Sequence, residues 1–461
     1  MRPQLGWADL AGRSVGVWGL GVEGRASVER LRRMGVDPVV VDDRPTTPDV
    51  LATDAGGLDA LARCEVVIRT PGMSRYRPDV EGLSARGVTV VGGLGLWLFD
   101  APLDRVVCVT GTKGKSTTTS IAGHLATGLG LRCVLGGNLG PPPFAPDAPT
   151  DADLWVIEVS SYQATDLAVT SPVVAVTSLH PDHLDWHGSL ERYYDDKLSM
   201  TSQPGARVCV ASADDERLRA RADQLGPNVR WVTAADADSW WEPLGLLGRH
   251  NALNAAIARA VLVEVGVPGA DDDATVAAAC AGFEGLPSRL RRVHSAGPVE
   301  FFDDSLATNV LPTIAALDAF EGRPLALLVG GHDRGIDYEP LAARLAARSA
   351  TAPTFVLTLP TSGDRIAETV AAQPDAPPTV RCADLDEAVR VAHAWAREDG
   401  GSCCSRRLRR VSGSSPTTAT GLGRSSTQPD GVADGQPIVC PYISPSGSEI
   451  SSMRSPSGPA R

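Results

Sequence analysis

The first hundred residues alternate short apolar runs with helical stretches. SVGVWGLG reads as a strand, EGRASVERLRRMG as a helix and DPVVVDDR as a second strand, and CEVVIRTPG and GVTVVGG continue the series. This rhythm predicts a parallel sheet with helices packed on its faces. A second series opens at RVVCVTGTKGKS, where a strand feeds a glycine loop and then the helix TTTSIAGHLATGLG. Further strands follow at DLWVIEVSS, VVAVTSL, ARVCVAS and VRWVTA, and HNALNAAIARAVLVEVG is a further helix. A third series starts near residue 297, with strands at VEFFDDS, PLALLVGG and PTFVLTL. The expected class is α/β, in three domains over residues 1–99, 100–296 and 297–400. From residue 401 to 461 the chain is rich in serine, proline, arginine and glycine and carries no strand or helix period. That composition predicts a disordered tail.

Composition narrows the function. A length of 461 residues accommodates about three domains. The net charge of -12 argues against a nucleic-acid binder or an anionic membrane surface as partner. The nine cysteines are scattered, with no C-x-x-C pair in the first 400 residues, so neither zinc nor a disulfide framework is indicated. MRPQLGWADLAG lacks an apolar signal core, and no apolar run is long enough to span a bilayer. A cytoplasmic monomer is expected.

Two glycine loops carry the first chemistry. Gly19, Gly21 and Gly24, with Asp42 and Asp43 at the end of the next strand, have the spacing of a dinucleotide fingerprint. By spacing alone this reads as NAD, another nucleotide, or a tight strand-to-helix turn. The second loop, TGTKGKST, follows an apolar strand and precedes a helix. It differs from the usual G-x-x-x-x-G-K-[ST], because Val109 stands where the first glycine belongs and a glycine stands at 111. Backbone amides of such a loop point at phosphates. Lys115 would offset phosphate charge, and the Ser116 or Thr117 hydroxyl would reach Mg2+.

Other polar groups gather downstream. Glu158 ends a strand, and His180, Asp182, His183, Asp185, His187 and Lys197 share one segment. An acid and a histidine at two strand ends of one sheet can converge on a hard cation. His183 fits that role, whereas His187 reads as a surface or hydrogen-bonded core residue. His250, Asn251 and Asn254 at a helix start read as caps or as nucleotide contacts. Arg289 reads as a phosphate contact or a surface arginine.

The ordered set TGTKGKST, GGNLG, EVSSYQ, HPDHLDWHGS with a following lysine, GRHNALN, LPSRL, DDSLATN and GGHDRGIDY resembles the Mur ligase family. This family comprises the ATP-dependent amino-acid ligases of peptidoglycan precursor synthesis. The resemblance spans roughly residues 10 to 400. The shortened phosphate loop is this family's form. The resemblance implies a Rossmann-like first domain that binds a UDP substrate, which displaces NAD, then an ATP-binding central domain and a Rossmann-like glutamate-binding third domain. Its glutamate-adding branch fits best, with ATP and Mg2+ as cofactors and UDP-N-acetylmuramoyl-L-alanine and D- or L-glutamate as substrates. Gly111, Thr112, Lys113, Gly114, Lys115, Ser116 and Thr117 would then hold ATP, joined by Asn251, Arg289 and Asp304. Ser116, Glu158, His183 and Lys197, the last as a carbamate, would hold Mg2+, with Lys115, His183 and Lys197 catalytic. Gly19, Gly21, Asp42, Asp43, Arg44, Thr70, Pro71, Gly72 and Asn138 would bind the UDP substrate, and Thr308 and Arg334 glutamate.

The chain also departs from the family. Lys113 and Ser116 stand where the D-glutamate enzymes more often have Asn and Thr, and Leu306 and Arg334 each replace a lysine. These differences point toward a variant that adds L-glutamate. The family's closing segment, LLSPAxxSF and an aromatic, arginine-rich end, is missing. Read one base earlier, the codons of Cys403 and Cys404 can give Leu-Leu, and those of Thr417 to Gly421 can give Asp-Tyr-Arg-Asp-Arg. A frameshift near residue 402 is therefore expected, leaving the third domain incomplete. A folylpolyglutamate synthase-like ligase and an inactive relic are the alternatives.

Overall fold

The computed structural model describes residues 2–333, 335–397, 436–440 and 442–443. Arg334, the residues around the expected frameshift, and the rest of the tail lie outside the described residues. Contacts divide the chain into two compact units, Met1–Gly285 and one beginning at Leu286.

The first unit holds two all-parallel sheets. One comprises β1 (Val15–Trp18), β2 (Val39–Asp42), β3 (Leu51–Ala52), β4 (Val66–Arg69) and β5 (Thr89–Val91), in the order β3-β2-β1-β4-β5. The second comprises β6 (Val106–Thr110), β7 (Cys133–Gly137), β8 (Leu154–Glu158), β9 (Val173–Val176), β10 (Val208–Ser212) and β11 (Val229–Val232), in the order β11-β10-β9-β6-β8-β7. In both, the chain order reverses beside a central strand, which opens a crevice at the strands' C-terminal ends.

β6 shows why the apolar runs are continuous rather than alternating. All five of its residues are buried, as expected for a parallel strand covered on both faces. Val107 and Val109 join one core with the helices Lys115–Gly128 and Arg249–Val265. Val106 and Cys108 join a second core with Val15, Val17, Val66 and Ile68 of the first sheet. Successive side chains point to opposite faces, so one strand ties both cores together and fixes the loop that follows it.

The second unit holds one mixed sheet. Its strands are β12 (Arg291–Ala296), β13 (Val299–Asp303), β14 (Leu325–Gly331), β15 (Thr354–Leu359), β16 (Thr379–Arg381), β17 (Gln436–Cys440) and β18 (Tyr442–Ile443). β12 runs antiparallel to β13, so the sheet begins ahead of residue 297. Among the described residues, no helix is long and apolar enough to cross a membrane.

The tail requires a correction. Residues 436–440 are not without regular structure. They form β17, a parallel strand between β13 and β14, and β18 pairs with the end of β14. The physical reason is local. β13 and β14 leave a slot one strand wide, whose facing N–H and C=O groups need partners. QPIVC supplies β-prone Ile438 and Val439. Composition averaged over sixty residues hides a run this short.

The slot makes a prediction. Truncation after residue 430 should remove the unfolding transition of the second unit and leave that of the first unit within a few degrees. Calorimetry on the full and shortened chains measures this, and an unchanged pair of transitions would contradict it.

Candidate active site

β6 ends at Thr110, and the chain turns through Gly111 with φ 138° and Gly114 with φ 89°. Both values suit glycine rather than an L side chain. A Cβ on Gly111 would lie 2.1 Å from Thr177 Oγ1, and one on Gly114 would lie 2.5 Å from Asn254 Oδ1. The helix Lys115–Gly128 starts at once, so its free amides face the loop. The loop is anchored to the end of β9. Thr112 N donates to Ser178 O at 2.8 Å, Lys113 N donates to Ser178 Oγ at 2.9 Å, and Thr177 Oγ1 donates to Lys113 O at 2.6 Å. Thr112 Oγ1 accepts from His180 N at 2.9 Å and lies 2.8 Å from the Tyr193 hydroxyl.

Three lysines converge here. Lys115 Nζ donates to Gly111 O at 2.9 Å and Thr112 O at 3.2 Å. Lys113 Nζ pairs with Asp182 at 3.2 Å. Lys197 is 1% exposed, and its Nζ donates to Gly111 O at 2.9 Å. Burial pushes the Lys197 amine well below the usual lysine range. The charges of Lys115 and Lys113 push it the same way, against Asp182 and Glu158. A neutral amine is the reactive form of lysine.

Glu158 ends β8 fully buried. Its Oε1 accepts from Asn138 Nδ2 at 2.7 Å, while Oε2 is buried with no hydrogen-bond partner. A buried carboxylate oxygen without a donor suits a hard cation. Among the described residues, no three His, Cys, Asp or Glu side chains are grouped to hold a metal. The unpartnered Glu158 oxygen fits Mg2+, which takes one or two carboxylates together with phosphate and water. His183 sits at φ 52°, with Nδ1 2.8 Å from the Tyr162 hydroxyl. Burial holds its imidazole below the usual histidine range; Asp182 opposes this, and Lys197, Lys115 and Lys113 reinforce it. His187, expected at the surface or in a hydrogen-bonded core, is fully buried between Asp196 and Ser161. Asn251 and Asn254 are buried and bonded to each other at 3.1 Å, and Thr118 donates to Asn254 Oδ1 at 3.3 Å. They brace the loop's helix as well as lying beside it.

The first sheet carries a pocket of about 340 Å3, lined in part by Gly19, Gly21, Asp42, Asp43, Thr70 and Gly72. Six of the nine residues expected at a UDP site therefore line one cavity. Arg44 and Pro71 are not among its lining residues, and Asn138 stands beside Glu158 instead. Arg77 also lines it, pairs with Asp43 at 2.6 Å and lies over the Trp18 ring. Sequence reasoning missed Arg77, because nothing local marks an arginine eight residues past a strand. In the second unit, Leu290 N donates to Asp304 Oδ1 at 3.0 Å, and Thr308 precedes the helix Val310–Ala319, which Asn309 caps.

Residues 109–243 match the Mur ligase middle domain, and residues 288–404 match the Mur ligase glutamate ligase domain. A UDP-N-acetylmuramoyl-L-alanine--L-glutamate ligase from a Micromonospora species is 41% identical over 422 residues, covering 85% of this chain and 91% of that protein. The protein of the same name from Salinispora tropica is 40% identical, covering 84% of this chain and 90% of its own length. The chain belongs to the Mur ligase family. Mur ligases are ATP-dependent, amide-forming enzymes of peptidoglycan precursor synthesis, so this chain is a ligase. The solved UDP-N-acetylmuramate-alanine ligase MurC of Thermotoga maritima shares the fold, with a TM-score of 0.51 at 16% identity, covering 94% of this chain and 95% of that one.

Asp304 yields a prediction. Burial raises its carboxyl to about 7, against the Leu290 amide and the Arg289 charge. An acid raised on folding binds more protons folded than unfolded between 3.8 and about 7. Its presence therefore lowers stability as pH climbs through that window. Asp304→Asn should be neutral near pH 4 and gain roughly 1–3 kcal/mol relative to wild type by pH 8. Urea denaturation across pH measures this, and a difference independent of pH would contradict it.

Proposed function

We propose that the chain joins glutamate to the alanyl carboxylate of UDP-N-acetylmuramoyl-L-alanine, and that the amino acid is L-glutamate. The glycine loop with Lys115 and buried Lys197 closed on one carbonyl carries this reading. Such a cradle suits the phosphates of ATP, and the pocket beside Gly19 suits a UDP group. Both relatives cited above are named L-glutamate ligases, which favours the L enantiomer. Lys113 and Leu306 agree with that choice.

The chemistry follows. A carboxylate is a poor electrophile. Its oxygen attacks the terminal phosphorus of ATP, ADP leaves, and an acyl phosphate remains. Lys115 and Lys113 offset the charge that spreads over the transferring phosphoryl oxygens. The glutamate amine then attacks the acyl carbon, loses a proton, and phosphate departs as the amide forms. Mg2+ would supply further charge stabilisation, held by Glu158, His183 and the Ser116 or Thr117 hydroxyl. Lys197 is suited to a carbamate: its neutral amine adds to CO2 and releases a proton, which turns a buried neutral amine into an anionic ligand. Arg289, Asp304 and Asn251 are assigned to ATP, and Thr308 and Arg334 to glutamate. The cytoplasm is the expected compartment.

The tail belongs to this reading. The match to the glutamate ligase domain stops at residue 404, beside the expected frameshift near 402. Resequencing tests the slip directly.

The decisive assay is phosphate release with UDP-N-acetylmuramoyl-L-alanine and each glutamate enantiomer, using this chain and a frame-restored one. The frame-restored enzyme should turn over L-glutamate at least tenfold faster than D-glutamate. Lys115→Met should cost about a hundredfold or more. Turnover with D-glutamate alone would overturn the enantiomer, and no amino-acid-dependent release from the restored enzyme would overturn the ligase reading.

A further inference from the structure

His187 occupies a junction that the reaction as described does not use. Its Nδ1 lies 2.7 Å from Asp196 Oδ2, and its Nε2 lies 3.0 Å from Ser161 Oγ. The Tyr76 hydroxyl reaches the same Asp196 carboxylate at 2.7 and 2.8 Å. The order Ser–His–Asp is that of a nucleophile triad, but Ser161 is 2% exposed and His187 fully buried. An acyl group has no route to that hydroxyl. The bonds instead fix the orientation of the ring. The Asp196 carboxylate accepts from the Nδ1 N–H, and Nε2 faces the Ser161 hydroxyl.

What the three partners adjoin gives the junction its meaning. Ser161 opens the short helix that follows Glu158 by three residues. His187 ends the short helix that His183 begins. Asp196 immediately precedes Lys197 on the helix Leu190–Leu198. One imidazole thus cross-links the three segments that present the candidate cation ligands. Tyr76 ties in a fourth segment, the loop whose Met73, Ser74 and Arg77 line the pocket of the first sheet.

We infer that His187 is a positioning residue, holding Glu158, His183 and Lys197 in register for the cation through its bonds to Ser161 and Asp196. The inference rests on the reading of those three residues as cation ligands. Groups behind metal ligands commonly govern affinity by tenfold or more, and a cross-link between three segments has more leverage than one bond.

Binding of Mn2+ in the presence of ADP, followed by electron paramagnetic resonance on the full chain, tests this without turnover. His187→Asn keeps a donor toward Asp196 and loses the bond to Ser161, and Ser161→Ala removes that same bond from the other side. Both should weaken Mn2+ binding several-fold and equally. His187→Phe, which loses both bonds, should weaken it about tenfold or more. Wild-type circular dichroism and melting serve as the folding check, and Ser161→Ala decides the matter if the histidine variants do not fold. Mn2+ affinity within twofold of wild type in folded Ser161→Ala would overturn the inference. If Glu158→Ala also leaves Mn2+ binding unchanged, the ligand reading itself fails. Loss of affinity in Glu158→Ala with none in Ser161→Ala isolates the failure to His187.

Discussion

The site depends on one hydrogen bond, from the buried amine of Lys197 to the carbonyl of Gly111. It joins a helix more than eighty residues downstream to the first turn of the phosphate loop. A buried lysine is costly unless it is neutral or paired. Here its partner is a carbonyl oxygen, and the nearby charges of Lys115 and Lys113 lower its pKa further. Positive charge is concentrated where the loop amides and a helix N-terminus already favour anions. The proposed occupant, a triphosphate chain, carries the charge that such a place favours.

The scaffold explains how such crowding is tolerated. β6 is locked between β8 and β9 and contributes side chains to two cores. Thr177 and Ser178 at the end of β9 hold Lys113 by both its amide and its carbonyl. Asn254 fills the space that any side chain at position 114 would need. The loop is therefore set by its surroundings before any ligand arrives, which is what electrostatic catalysis requires.

Much of this was legible in the sequence, for identifiable reasons. Continuous apolar runs before glycine loops reveal parallel strands, and glycines at positive φ are forced by backbone geometry, so Gly111 and Gly114 could be singled out by position. Glu158 and His183 stand out because an acid and a histidine near strand ends of one sheet can converge, whereas Lys197, inside a helix, is marked only by the family resemblance. Arg77, Tyr76, Asp196 and Ser161 were not found. Each works through a partner distant in sequence, Arg77 with Asp43 and Tyr76 with Asp196, and no local period encodes such pairs. β17 was missed for a different reason. Its place is set by a slot between two strands that lie far upstream, and its short apolar run is swamped by the surrounding tail.

The central claim is that the loop around Gly111 and Lys115 is a cationic cradle for the phosphates of ATP. Calorimetric titration of this chain with a non-hydrolysable ATP analogue and Mg2+ tests it most directly, because the loop and its anchoring residues lie within the first unit. The account predicts saturable binding at a single site, weakened about tenfold or more in Lys115→Met. No saturable binding by the wild-type chain, or equal affinity in the two proteins, would contradict it.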